Sequence, residues 1–146
     1  MLFRSAVDAW ASAADIAGAV AAGDSALEIV EAALARIAAR DRVLNSFTAV
    51  LPDRARARAR AIDAARAEGK PVGPLAGVPF AVKNLFDVAG LPTLAGSKIN
   101  RERPAATRDA TLIERLEAAG AVLLGARPSA RQIGRASCRE RVYSGV

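Results

Sequence analysis

A single lysine, Lys83, stands at the end of an apolar segment that glycine and proline residues border on both sides. Residues 78–83 read Val-Pro-Phe-Ala-Val-Lys and predict a strand, because proline is tolerated near a strand start. Burying an ammonium group is costly unless it is paired or neutralised. This position favours a lysine that transfers protons, and the alternative is a strand-end lysine that reaches solvent.

The absence of histidine narrows the chemistry that the chain can support. It excludes a Ser-His-Asp triad, a Cys-His pair and a histidine-ligated metal within this chain. The one cysteine, Cys138, excludes an internal disulfide. The carboxylates show no metal-ligand spacing, so we predict no metal site.

The positive charge is concentrated near the C-terminus. The formal net charge is +6, and five arginines with one glutamate give residues 127–146 a balance of +4, which leaves +2 for residues 1–126. We therefore predict no nucleic-acid partner.

No apolar run approaches the roughly 20 residues of a membrane span, and Asp8, Trp10 and Asp15 interrupt the stretch where an export signal would lie. We predict a cytoplasmic protein with no membrane partner.

Capping residues and hydrophobic spacing predict an α/β protein. Ser12 and Ser25 each begin a capping box, with Asp15 and Glu28 as the acidic partners. The last helix is expected to turn Leu112, Ile113 and Leu116 toward the core. The predicted elements are helices over 13–22, 26–40, 54–68 and from Thr107 or Asp109 to Ala119, an extended segment over 43–50, strands over 78–83 and 121–125, and a loop over 85–100. Strand, loop, helix and strand in this order are typical of an α/β crossover.

The third predicted helix carries five arginines, Arg54, Arg56, Arg58, Arg60 and Arg66. One interpretation is a helix that binds RNA or an anionic surface. The other is a solvated helix with its alanines and Ile62 turned inward. Alternate arginines on a helix point in several directions, and stacking aromatics are missing, so we favour the second interpretation.

Three segments resemble the amidase signature family in the right order and with close spacing. They are Leu75–Ser97, which contains Lys83, the earlier Ser25–Ala49 helix with its Leu44-Asn-Ser-Phe-Thr48 follow-up, and the later Asp109–Gly125. The resemblance covers residues 12–126. Many members have aspartate directly after the lysine, where this chain has Asn84. That variant is most similar to the AtzE type of amidase subunit, and the A subunit of tRNA-dependent amidotransferases has a very similar lysine segment.

The resemblance implies a hydrolase that cleaves a C–N amide bond of a small amide or urea-like substrate without a cofactor. It also implies helices around a mixed sheet, of which only the N-terminal portion is present. Members use a Ser–Ser–Lys triad in which a neutral lysine acts as the base, and Lys83 matches that lysine. The partners implied are the substrate and either a small partner subunit or a second copy of the chain.

The two serines of such a triad are not apparent in this chain. Members carry the nucleophile in a Gly/Ser-rich loop that also forms the oxyanion hole. None of the serines after Lys83 has that context, namely Ser97, Ser129, Ser137 and Ser144. We therefore expect the chain alone to be inactive. The alternatives are a small binding module with a basic arm and a decoy that occupies a partner subunit.

Three further polar residues near Lys83 have two possible roles each. Thr93 and Ser97 could line a pocket or pack a loop, and Asp87 could pair with Lys83 or cap a turn.

The basic C-terminal segment sets the predicted domain boundary. Residues 133–142 resemble a translated short-read sequencing adapter, and residues 127–132 have no hydrophobic period. We predict that residues 1–126 belong to the amidase domain and that residues 127–146 are a non-native or disordered tail.

Overall fold

Four α-helices and three strands make up residues 10–128, the part of the chain that the computed structural model describes. In chain order they are α1 (Ala13–Ala22), α2 (Ala26–Leu44), β1 (Ala49–Val50), α3 (Pro52–Ala67), β2 (Pro79–Lys83), a 3₁₀ helix (Lys98–Glu102), α4 (Thr111–Ala118) and β3 (Val122–Arg127). None of the helices in this range has both the length and the apolar character needed to span a bilayer. The predicted tail lies outside these residues, except for Arg127 and Pro128.

The strands form one mixed sheet in the order β1-β3-β2. Strand β2 runs parallel to β3, and β1 is antiparallel to β3. Helix α4 lies between β2 and β3 along the chain, so the predicted crossover and the predicted α/β class with a mixed sheet are confirmed. Within residues 10–128, β2 is an edge strand and β3 lies between its two neighbours.

Helices cover both faces of this sheet because the side chains of β3 alternate between them. Val122 and Leu124 belong to a core that α1, α2 and α3 complete, with Val30 and Ile62 among its buried residues. Leu123 belongs to a second core, which it shares with Val82 of β2 and Ile113 of α4, among others. Residues 122–126 are buried throughout, which explains why β3 reads as a continuous apolar run.

The two predicted capping boxes differ in how they are completed. Ser12 and Asp15 exchange bonds as predicted, with the Asp15 N–H donating to Ser12 Oγ at 3.2 Å and the Ser12 N–H to Asp15 Oδ2 at 3.0 Å. At α2 the Glu28 N–H donates to Ser25 Oγ, but the carboxylate that completes the cap comes from Asp63 of α3. It accepts from the Ser25 hydroxyl at 2.7 Å and from the Ala26 N–H at 2.8 Å. The prediction of a reciprocal capping box at Ser25 was therefore wrong, because the Asp63 carboxylate of α3 takes the place of the Glu28 carboxylate.

Most of the arginines of α3 form tertiary contacts instead of pointing into water. As predicted, the alanines at 55 and 59 and Ile62 are buried. The bound arginines are Arg54, which pairs with Asp109 and Glu117; Arg56, which pairs with Glu31; Arg58, which donates to the Glu117 carbonyl; and Arg66, which donates to the Val20 and Asp24 carbonyls. The prediction of a solvated helix is wrong for these four side chains.

The Arg54 cluster joins three segments of the chain. Its guanidinium donates to both oxygens of Asp109, at 3.0 and 2.6 Å, and to Glu117 at 2.7 Å. Asp109 also accepts from the Ala89 N–H at 2.8 Å. The hydrogen bonds from Arg54 lower the pKa of the Asp109 carboxyl, against the opposing effect of burial, and those from Asp109 raise the pKa of Arg54.

This use of Asp109 corrects the predicted start of the last helix. Helix α4 begins at Thr111, and the residue before it, Ala110, provides no side-chain cap. The prediction that Thr107 or Asp109 caps the helix was therefore wrong. Ile113 is fully buried, as expected, whereas Leu112 is 46% exposed and does not belong to the core face.

The segment between α2 and α3 is less extended than predicted. Helix α2 continues to Leu44 and ends at Asn45, which adopts the left-handed conformation and donates to the Asp41 carbonyl at 2.7 Å. Only Ala49 and Val50 form a strand, opposite Ala126 and Gly125. The predicted extended segment over 43–50 was too long because the helix competes for its first residues. The predicted loop over 85–100 similarly includes the start of the 3₁₀ helix.

Candidate active site

Lys83 is the last residue of β2 and lies opposite Arg127 of β3 in the parallel register. The carboxyl ends of the two parallel strands therefore meet at this residue. In open α/β sheets, ligands bind in the crevice outside the carboxyl ends of the strands. The sequence-predicted lysine thus occupies the edge of the sheet where a binding site is expected.

The Lys83 side chain is exposed. In the described part of the chain it forms no ion pair, and Asp87 does not pair with it. Asp87 instead accepts from the Thr93 hydroxyl at 2.5 Å, and its backbone carbonyl accepts from the Ala110 N–H at 2.8 Å. Of the two roles left open for Asp87, the structure supports the local turn contact. Thr93 binds Asp87 rather than the lysine.

Asn84 is the one buried polar or charged residue among residues 10–128, with 5% of its surface exposed. Its Nδ2 donates to Thr48 Oγ1 at 3.0 Å, and its Oδ1 accepts from the Leu94 N–H at 2.9 Å. Its backbone N–H donates to the Arg127 carbonyl at 2.8 Å, and its carbonyl accepts from the Ala95 N–H at 2.7 Å. The residue that follows Lys83 is thus held to three separate segments.

The loop that Asn84 holds contains an unusual backbone conformation. Ala95 has a φ of 45° and Gly96 a φ of 75°. A left-handed conformation is unfavourable for alanine by roughly 1–2 kcal/mol. The hydrogen bonds from Leu94 and Ala95 to Asn84 offset that cost and fix the direction in which the chain continues to Ser97.

We expect Asn84→Ala to destabilise the fold by about 2 kcal/mol, because it removes the acceptor of the Leu94 N–H and the donor to Thr48 Oγ1. Amide hydrogen exchange at Leu94 and Ala95 should accelerate, and urea denaturation should show the loss of stability. The control is Asn100→Ala, which removes a single side-chain bond to the Leu94 carbonyl at 2.9 Å. Equal destabilisation by the two variants would contradict the role assigned to Asn84.

A cavity of about 190 Å³ opens beside Asn84 at the carboxyl ends of β2 and β3. Ser97 lies on its wall and precedes the 3₁₀ helix, and the Ser97 N–H donates to the Leu94 carbonyl at 2.9 Å. Ser97 therefore lines a pocket, one of the two roles considered for it, whereas Thr93 is not among the lining residues. The complete wall consists of Thr48, Asn84, Leu94, Gly96, Ser97, Lys98, Arg101 and Pro128.

The remaining serines after the lysine, Ser129, Ser137 and Ser144, lie outside the described residues. Within residues 10–128, no group of three or more histidine, cysteine, aspartate or glutamate residues is arranged to hold a metal ion. The site in this part of the chain therefore consists of one lysine, the residue that anchors its strand end, and the neighbouring cavity.

The sequence also matches the profile of the amidase family over residues 28–142. The chain belongs to the amidase signature family. It is 56% identical over 110 residues to the 1-carboxybiuret hydrolase subunit AtzE of Pseudomonas sp. (strain ADP), an alignment that covers 75% of this chain and 24% of that protein. It is 54% identical over 109 residues to the A subunit of the glutamyl-tRNA(Gln) amidotransferase of Anaeromyxobacter dehalogenans (strain 2CP-C), covering 75% of this chain and 22% of that protein.

A solved structure gives the same assignment. An inhibitor-bound protein complex, described in connection with the origins of an s-triazine catabolic enzyme, contains a chain that superposes with a TM-score of 0.81 at 52% identity. The match covers 83% of this chain and 27% of that one. The predicted resemblance and fold are therefore confirmed. The chain spans about a quarter of the length of the relatives it matches.

Sequence reasoning missed the anchoring role of Asn84 and noted the residue only as a family variant. The available signal was a neutral polar residue directly after Lys83, at the end of an apolar strand. Its partner Thr48 is 36 residues away in sequence, so no local pattern connects the two.

Proposed function

We propose that the chain is the N-terminal portion of a hydrolase that cleaves a C–N amide bond in a small amide or urea-like substrate. Lys83 is the base of its Ser–Ser–Lys triad. The observation that carries this proposal is the position of Lys83 at the carboxyl end of β2, next to β3, in a chain of the amidase signature family.

The chemistry requires a neutral amine at Lys83. That amine accepts a proton that a bridging serine relays from the nucleophilic serine, whose oxygen attacks the amide carbonyl. As the tetrahedral intermediate collapses, the C–N bond breaks and the proton passes to the leaving nitrogen. Water then cleaves the acyl-enzyme and regenerates the serine. Removing the amine from water favours its neutral form, so the exposed Lys83 must be covered by further chain or by a partner.

Residues 10–128 supply the lysine but no Gly/Ser-rich loop for the nucleophile. We therefore infer that the chain alone is inactive. The AtzE relative is named as a subunit, which supports assembly with a small partner subunit or a second copy.

The test compares the 146-residue chain with a chimera in which residues 10–128 replace the matching segment of the Pseudomonas AtzE protein. We expect no hydrolysis by the chain and hydrolysis of 1-carboxybiuret by the chimera, provided with whatever partners the parent protein needs. Activity is measured as the disappearance of 1-carboxybiuret, with the unmodified AtzE protein as the control. Amide hydrolysis by the isolated chain that depends on Lys83 would contradict the inferred inactivity.

A second candidate is the A subunit of a tRNA-dependent amidotransferase, which the 54% identity to the Anaeromyxobacter protein supports. The same replacement made in that protein separates the two. We expect the AtzE chimera to keep a larger fraction of its parent's activity than the amidotransferase chimera keeps of its own. A larger retained fraction in the amidotransferase chimera would favour the second candidate.

A further inference from the structure

Two cations on the wall of the 190 Å³ cavity have no acidic partner in the described part of the chain. They are Lys98 and Arg101, which lie one turn apart in the 3₁₀ helix and are exposed. By contrast, Arg54 and Arg56 of α3 each lie within 2.7 Å of a carboxylate oxygen on another segment of the chain. No acidic side chain is among the residues that line the cavity.

The cavity also lies where a ligand of the proposed reaction would be bound. It is formed at the carboxyl ends of the two parallel strands, and its wall includes Asn84, the residue that follows Lys83 in the chain. Its volume of about 190 Å³ leaves room for a small polar group such as a carboxylate.

Hydrogen bonds hold the loop that leads to the two cations. Asn84 holds the loop at Leu94 and Ala95, and Ala95 is kept in a left-handed conformation. Strained residues of this kind cluster at binding sites and persist only where surrounding contacts hold them. The loop leads directly to Ser97, which lies on the wall of the cavity.

We infer that this cavity binds an anionic group of the substrate, most simply a carboxylate, through Lys98 and Arg101. The inference rests on the proposed function, because it assigns the group to the substrate on which Lys83 acts. Positive side chains without acidic partners attract a carboxylate, and hydrogen bonds between charged groups are the stronger ones. The cavity then selects amides or ureas that carry a negative charge and positions their C–N bond relative to the lysine.

Direct binding is tested with malonate as the probe, using the 146-residue chain and, in parallel, the chimera with residues 10–128. We expect saturable shifts of the backbone amide signals of Ser97, Lys98 and Arg101 with a Kd on the order of 1 mM. Lys98→Gln and Arg101→Gln should each weaken binding about tenfold. The matched controls, Lys70→Gln and Arg60→Gln, lie away from the cavity and should bind malonate as the unmodified protein does. Absence of saturable shifts in both proteins, or equal weakening in the controls, overturns the inference.

Kinetics of the chimera separate this inference from the proposed function. Lys98→Gln and Arg101→Gln should each raise the KM for 1-carboxybiuret about tenfold. They should leave the inhibition constant of biuret, which lacks the carboxylate, unchanged. A rise in both constants, or in neither, overturns the carboxylate site. The proposed function fails instead if a Lys83 variant retains full kcat, whatever the cavity variants do.

Discussion

Replacing Lys83 by methionine is expected to lower kcat of the chimera by about 10³-fold, the largest effect on activity that we anticipate. Methionine keeps an unbranched side chain of similar length but removes the amine that accepts the serine proton. Because Lys83 is exposed and forms no ion pair within residues 10–128, its loss should cost the fold of the 146-residue chain little. The measurements are kcat of the chimera for 1-carboxybiuret and a urea denaturation curve of the 146-residue chain.

Two further variants show whether the amine itself is required. Lys83→Arg keeps the positive charge but cannot lose a proton at neutral pH, so it should be as inactive as the methionine variant. Lys70→Met removes a lysine that pairs with Glu68 on the surface, and it should retain full activity. If Lys83→Arg kept substantial activity, Lys83 would be acting as a charge, and the role of base would be lost.

Arg54→Ala is expected to be the most destabilising of the arginine-to-alanine substitutions on α3, costing about 2 kcal/mol. It removes the partner of Asp109 and Glu117, whose side chains are 14% and 19% exposed. Breaking a fully buried ion pair costs roughly 3–5 kcal/mol, and partial exposure of Arg54 lowers that figure through solvent screening. Urea denaturation of the 146-residue chain should show a lower midpoint, with the chimera as a second host for the same substitution.

Arg56→Ala provides a close comparison on the same helix. Arg56 also forms two hydrogen bonds to one carboxylate, that of Glu31, but this pair is more exposed than the Arg54 cluster. Surface ion pairs contribute little, so the urea midpoint should not change measurably. If the two variants lost stability equally, burial would not be what distinguishes the Arg54 cluster.

Local patterns predicted the helices of this protein more accurately than its connections. The bounds of α1 were predicted to the residue, because a capping box at Ser12 and a glycine at 23 mark its two ends. Predictions failed where a distant group competed for a local one. Asp63 completes the cap of α2 in place of Glu28, and Arg54 binds Asp109, which had been expected to cap α4.

The amino-acid sequence alone determined the family, the α/β class and the identity of the candidate base. These follow from features within short stretches of chain: the hydrophobic period, the capping residues and the segment around Lys83. The tertiary structure decided which polar groups meet. Asn84 contacts Thr48 across 36 residues, and Arg54 contacts Asp109 across 55. Such pairings depend on how helices and strands pack, and side-chain periodicity within one element carries no information about a partner on another.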